Sequence, residues 1–346
     1  MPKTLPLIIL LILSSLASAQ IGGDNTYEFL NLTTSARVSS LGGNQIAVKD
    51  DDPFLGFVNP SLLNEEMDNK LALTYVSYLA DINIGFASYT KTFDSLGTFN
   101  LGVQYIDYGD FTETDQGGNE IGNFSAGEYA FVLGYSYPID TNFSVGANLK
   151  TIYSSFYDYQ SIGLAADIGA TYFSIKSGVT MSLLAKNMGS QLTRYSDADR
   201  EPLPFEVQFG ITKRFKNVPL RLGLIAQHLQ KWDLTYENPD ENQAQSILGE
   251  DANQNKNENG FFDKLGRHLI FNAELLITKN FNVRFGYNYL RRAELRVDEK
   301  PGAVGISWGF GMRISKFHLS YGRSAYHQVG PTNTFSISTR LSDFIN

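Results

Sequence analysis

The sequence predicts an all-β fold: a transmembrane, outer-membrane β-barrel of about 14 antiparallel strands with an N-terminal hatch in its lumen. Three observations carry this expectation. Apolar residues alternate with polar or small ones over segments too long for ordinary globular strands. The connections between those segments alternate between short and long, except the one near Ala80-Asp81 between the first two. Beyond the extreme N-terminus, no apolar run approaches the roughly 18 residues of a spanning helix.

The alternation is visible by inspection. In 203–215, Leu203, Phe205, Val207, Phe209, Ile211 and Phe215 alternate with Pro204, Glu206, Gln208, Thr212 and Arg214. Lys213 alone breaks the apolar side, close to a turn. In 304–314, Val304, Ile306, Trp308, Phe310, Met312 and Ile314 alternate with Gly305, Ser307, Gly309, Gly311 and Arg313. Successive strand side chains point to opposite faces, so each segment has one apolar face and one polar or small face. A tilted strand crossing a bilayer needs about 9–11 residues. Segments of that size are expected near 70–79, 82–93, 96–107, 126–138, 142–154, 158–173, 175–187, 203–216, 218–231, 267–279, 281–292, 302–314, 316–324 and 332–342.

The connections supply orientation. DSLG, PIDT, FSIK, KNVP, TKN and ISK are short turns after the even-numbered segments. The long connections, at 107–125, 188–202 and 232–266, follow odd-numbered ones. Short turns are expected on the periplasmic side and long loops outside. Both chain ends then fall on the periplasmic side.

At the N-terminus, Lys3 precedes an apolar run from Leu5 to Leu16 and the small-residue site Ala17-Ser18-Ala19. This is the layout of a cleaved signal peptide over 1–19, with Gln20 as the mature start. The expected destination is the bacterial outer membrane, with lipid around the barrel. Composition narrows the partners. The net charge is −8 and the pI about 5.1, which argues against nucleic acid. The chain has no cysteine, so disulfides, thiolate nucleophiles and cysteine-bound metals are excluded. Charged residues make up only 18% of it, below the roughly 25% of soluble domains.

Residues 20–69 do not alternate and precede the barrel at 70–346; they are expected to form the hatch, with a short helix near Tyr27–Leu32. Within them, Arg37, Gly42, Gly43, the acids Asp50, Asp51 and Asp52, and Asn59-Pro60-Ser61-Leu62 follow an AR…GG…D…NP-x-L pattern. This pattern resembles the N-terminal hatch of FadL-type outer-membrane proteins, whose barrels also have fourteen strands. Within that group the chain looks most like the PorV/PorQ family of the type IX protein secretion system of Bacteroidetes. Serine at 61 stands where the pattern usually has alanine. The resemblance implies a non-enzymatic barrel that anchors surface partners of a cargo-attachment complex, of the PorU, PorV and PorZ type, through its outer loops. The alternative it implies is a FadL-like transporter of hydrophobic solutes.

The three aspartates in KDDDPFLGFVNPSLL invite a catalytic or metal reading. Their place in a hatch predicts another role: pairing with lumenal Arg and Lys and capping the turn at Pro53, with a bend at Asp52. Nine strand residues lie opposite the apolar face: Lys150, Asp167, Lys176, Glu206, Arg214, Arg221, Glu274, Arg284 and Arg313. They should face the lumen or the rims, because Arg or Lys facing mid-membrane lipid costs about 2–4 kcal/mol. Tyr78, Tyr108, Tyr157, Trp232 and Tyr289 are expected in the interfacial girdles.

No catalytic, cofactor or metal residue is expected. His228, His268, His318 and His327 sit in no G-x-S-x-G or H-E-x-x-H context. Asn255, Asn257, Asn259, Gly260 and Asp263 have the spacing of a calcium loop, but three neutral ligands and a missing terminal Glu make a solvated loop the simpler reading.

Overall fold

The computed structural model describes residues 25–78, 82–196, 200–235, 260–295, 302–327 and 330–344. The expected signal peptide and calcium-loop residues Asn255, Asn257 and Asn259 lie outside them. Among the described residues, fourteen strands form one closed antiparallel barrel. They are β1 (Lys70–Ser77), β2 (Asn83–Phe93), β3 (Gly97–Thr114), β4 (Glu120–Pro138), β5 (Phe143–Phe156), β6 (Tyr159–Ser174) and β7 (Val179–Thr193). The second half comprises β8 (Glu206–Arg214), β9 (Leu220–Ala226), β10 (Leu269–Leu275), β11 (Phe281–Asn288), β12 (Ile306–Ile314), β13 (Phe317–His327) and β14 (Gly330–Arg340). Each strand pairs with its neighbours in the chain, and β1 closes the ring against β14 with Lys70 opposite Arg340 and Ser77 opposite Asn333. Every backbone group of the wall can then bond within the ring, which is what a lipid environment demands of a sheet.

Burial is inverted relative to a water-soluble protein. Trp308, Phe335, Phe131 and Leu133 are exposed on the outside, while Ser307, Thr334, Ser336 and Asn148 are buried inside. The exposed apolar wall is the surface that lipid covers. Aromatic rows ring it: Tyr105, Tyr129 and Tyr153 stack across β3, β4 and β5, and Trp308, Tyr321 and Phe335 meet across β12, β13 and β14.

Four expectations are corrected. Tyr78 and Tyr108 lie inside: in β1 and β3 the even-numbered side chains face the lumen. Tyr108 donates to Glu128 at 2.7 Å, and both tyrosines join an apolar cluster around Tyr27 and Phe29. Tyr289 starts a loop helix and bonds Asp263 rather than standing in a girdle. The expected loop 107–125 is mostly a two-stranded ribbon, because β3 and β4 continue pairing up to Thr114 and Glu120. Likewise β7 runs on to Thr193, into the expected loop 188–202.

Residues 25–69 fill the lumen with a 3-10 turn (Glu28–Asn31), helices α1 (Ala36–Ser40) and α2 (Pro53–Val58), and two further 3-10 turns, Pro60–Leu62 and Glu65–Met67. Helix α1 lies against β11–β14, α2 against β1–β3, and the Pro60 turn against β4–β6. Helices α3 (Phe261–Arg267) and α4 (Tyr289–Leu295) pack against each other at the loop end, and α4 also meets β10 and β13 and lines the lumen with Leu290, Arg291 and Glu294.

The lipid-facing assignment predicts an asymmetry. Leu133→Arg, on the outer face of β4, should lower barrel stability by about 2–4 kcal/mol, whereas Val132→Thr, one residue away in the lumen, should not disturb membrane insertion. Denaturant unfolding from lipid vesicles and heat-modifiable gel mobility measure both.

Candidate functional site: the hatch and the lumen it closes

Helix α1 begins at Ser35, whose hydroxyl accepts from the Val38 amide. It carries Arg37, which is buried. The guanidinium donates Nε to Glu274 Oε1 at 2.8 Å and Nη2 to Glu274 Oε2 at 3.0 Å, a bidentate pair with β10. The same guanidinium reaches Asp50 at 2.8 Å and Asp52 at 3.1 Å within the hatch. Arg221 of β9 joins Glu274 at 2.5 Å and Asp50 at 3.2 Å, and Arg284 of β11 stands 3.4 Å from Glu274. Three guanidiniums thus meet three carboxylates in one buried cluster.

The aspartate triplet divides its work. Asp50 faces Arg37 and Arg221. Asp51 faces the inner rim, pairing with Lys70 at 2.6 Å and Arg313 at 2.7 Å. Asp52 caps α2, accepting from the Phe54 amide at 3.1 Å, with Pro53 in the first turn. A helix therefore follows where the sequence suggested only a turn. Burial alone would raise the Asp50 carboxyl, but the Arg37 and Arg221 guanidiniums overcome it and hold the group far below the usual carboxylate range. Burial opposes Asp51 ionisation as well, and Lys70 outweighs it.

The other hatch residues fit the chain against the wall. Gly42 and Gly43 have φ of 93° and 88°, a left-handed turn that favours glycine. A Cβ at Gly286 on β11 would overlap the Gly42 amide, and one at Gly42 would overlap Ile270 of β10, so the close fit of hatch and wall needs glycine at both positions. Asn59 is fully buried; its Nδ2 donates to the Ile46 carbonyl at 2.8 Å and its Oδ1 accepts from the Ser61 hydroxyl at 2.7 Å. Pro60 opens the 3-10 turn beside Gly146 of β5. Ser61 also meets Thr171 at 2.7 Å, a bond that alanine there could not make.

The lumenal space is divided. Toward the loop end, a cavity of about 200 Å3 lies between Val38, Phe57 and Val58 of the hatch and two buried ion pairs, Lys150–Asp167 and Lys186–Glu206, both at 2.8 Å. Toward the short-turn end, a cavity of about 800 Å3 lies between Val48–Asp50 and the ends of β6–β9. Between them lies a septum in which Ile46 of the hatch packs against Leu184, Ile225 and Ile270 of the wall, beside the buried hydrogen-bonded Asn59, Ser61 and Thr171. Sequence reasoning had placed the nine polar strand residues inside or at the rims. Lys150, Asp167, Glu206, Arg221, Glu274 and Arg284 are buried, and Lys176, Arg214 and Arg313 sit at the short-turn rim. It missed that Glu274 is the hub and that Ile46 closes the septum; neither position has a local signal.

The remaining residues of chemical interest have structural partners. His268 bonds the Gln227 and Trp232 carbonyls, and His228 lies 3.8 Å from Glu206. His318 lines a small cleft with Asp51 and Arg313. Asp263 holds Arg267 and Tyr289, at 2.8 and 2.7 Å. Among the described residues, no group of three or more His, Asp or Glu side chains is arranged to hold a metal.

No protein-family model and no curated protein sequence matches this chain. Solved structures do. The toluene transporter TodX of Pseudomonas putida superposes with a TM-score of 0.51 at 10% identity, covering 90% of this chain and 99% of that one. A FadL homologue of Pseudomonas aeruginosa gives 0.46 at 10% identity, covering 88% and 97%. The NanC porin gives 0.30 at 9% identity, covering 78% and 98%. The shared feature is the fold, a closed barrel like that of TodX, with fourteen antiparallel strands in this chain.

Removing one partner from a buried charge cluster costs about 3–5 kcal/mol, whereas an exposed pair contributes about 0–1 kcal/mol. Asp50→Asn should therefore unseat the hatch, and Asp51→Asn, whose carboxylate is 39% exposed at the rim, should loosen it less. Limited proteolysis of the hatch in the folded barrel reads the ranking; equal release by both variants would refute it. Because the Asp50 pKa is depressed, its stabilisation is present above the ordinary carboxylate range and is lost as pH falls toward the lowered value. The hatch should stay protease-resistant down to about pH 5 and loosen only in stronger acid.

Proposed function

We propose that this protein is an outer-membrane channel for small hydrophobic solutes, gated by its hatch. The observation that carries the reading is the pair of lumenal cavities beside the hatch, with the Ile46 septum between them. Passage needs that septum to part. Arg37 ties α1 to Asp50 and Asp52, so the hatch shifts as one body rather than strand by strand. The structural likeness to a toluene transporter supports an apolar cargo. The ion pairs around the loop-end cavity hold charge fixed at the wall, and Leu30, Leu32, Val38, Phe57, Val58 and Leu290 supply its apolar contacts.

A second reading rests on the β3–β4 ribbon. It extends beyond the length a membrane strand needs and exposes Phe111 and Ile121 among Asp107, Asp110, Asp115 and Glu120. Such an arm suits a surface partner, and the proposed partners are attachment-complex proteins of the PorU, PorV or PorZ type in a type IX system. Co-purification from native membranes, lost on deleting 110–122, tests this role separately from transport.

The absence of cysteine permits a clean test of gating. Ser39 of α1 and Ser324 of β13 have hydroxyls 2.8 Å apart. A Ser39→Cys/Ser324→Cys pair should form a disulfide that clamps the hatch. Toluene uptake into proteoliposomes should stop on oxidation and return on reduction. Equal uptake in both states would sink the gated-channel reading.

A further inference from the structure

The short-turn rim carries a charge pattern that the channel reading leaves unexplained. Turn residues 175–178 and 215–219 lie side by side, with the Arg214 amide donating to the Gly178 carbonyl and the Lys213 ammonium donating to the Ser177 carbonyl. Lys176, Lys213, Arg214 and Lys216 line one groove of about 460 Å3 with no carboxylate in its lining. None of the four forms an ion pair among the described residues. In the sequence, no acid occurs between Glu206 and Asp233, although the whole chain is at −8. The larger inner cavity shares Arg214, Phe215, Lys216 and Val218 with this groove and adds Lys49, whose ammonium sits 4.8 Å from the Phe173 ring centroid.

Position and neighbours distinguish this patch from a general basic surface. Lys213 occupies an outward, lipid-facing register in β8, in line with Val207, Phe209 and Ile211, and is the one break in that apolar row. Its ammonium turns to the rim, where a long side chain keeps its charge at the interface. Ile175, Phe215 and Val218 are exposed beside it, Ile175 to 76%. Cations at the membrane boundary flanked by exposed apolar side chains match one kind of occupant: an anionic phosphodiester head with acyl chains lying along the wall.

We propose that the rim formed by the β6–β7 and β8–β9 turns is a binding site for an anionic phospholipid of the inner leaflet. Its phosphate sits among Lys176, Lys213, Arg214 and Lys216, and its chains cover Ile175, Phe215 and Val218. The site would fix this side of the barrel, next to the larger cavity, at a set depth in the membrane. It does not depend on the channel reading.

The test uses the full chain in nanodiscs of zwitterionic lipid titrated with phosphatidylglycerol, with retained lipid counted by native mass spectrometry. At roughly fivefold per cation, the triple variant K176Q/K213Q/K216Q should lose about 100-fold in affinity. The triple arginine variant should keep it, and Lys279→Gln on the neighbouring turn should not matter. Heat-modifiable mobility confirms that each variant is folded. Retention of zwitterionic and anionic lipid alike, or equal phosphatidylglycerol retention by the triple glutamine variant, overturns the proposal. So does displacement by soluble poly-glutamate with no dependence on lipid type, which would mark a docking site for an acidic protein. Binding of dodecyl phosphate but not of inorganic phosphate ties the site to a lipid rather than a free anion.

Discussion

The buried ion cluster around Arg37 is the constraint on which the rest of this molecule depends. A charge inside a barrel cannot be left unpaired, because desolvation costs several kcal/mol per ion. Arg37, Arg221 and Arg284 balance Asp50, Asp52 and Glu274, and the members come from the hatch and from three consecutive wall strands. No part of the cluster can be completed without the others. It therefore fixes where the hatch sits, and the septum, the two cavities and the closed lumen follow from that placement.

The wall is shaped to receive the hatch. Its lumenal face carries Ser, Thr, Asn and Gly where the hatch comes closest, so backbone approaches backbone at Gly42–Gly286 and at Pro60–Gly146. Hydroxyls then supply the polar contacts that a close-packed interior needs, as at Ser39–Ser324 and Ser61–Thr171. The outer face follows the opposite rule. Lipid removes the penalty for exposed Phe, Trp and Leu, so the hydrophobic effect places the hatch inside and the aromatic rows outside with one alternating pattern.

The two ends differ in charge. The β3–β4 ribbon at the loop end is acidic, and the β6–β9 turns at the other end are basic. In a chain of net charge −8 this is a separation along the barrel axis, and it gives each end a different class of neighbour. The channel reading uses the space between these ends, and the docking and lipid readings use the ends themselves. The ribbon shares no residue with the other two readings, whereas the lipid groove and the larger cavity meet at Arg214, Phe215, Lys216 and Val218.

Much of this was legible along the chain. Period-two alternation located all fourteen strands, since lipid on one side and a packed lumen on the other force every strand to show it. The hatch motif marked Arg37, the glycine pair, the aspartates and Asn59-Pro60. Face assignments slipped at Tyr78 and Tyr108, where residue type suggested a girdle and strand parity decided otherwise. The sequence by itself determined the barrel, its strand number and which charged strand residues avoid lipid, because those depend on local spacing. Only the tertiary structure decided that Asp50 and Asp52 share Arg37 while Asp51 turns to Lys70 and Arg313, that Glu274 joins Arg37 from 237 residues away, and that Ile46 lies between the two cavities. Such pairings are set by ring closure and by the seating of the hatch, and no local pattern encodes them.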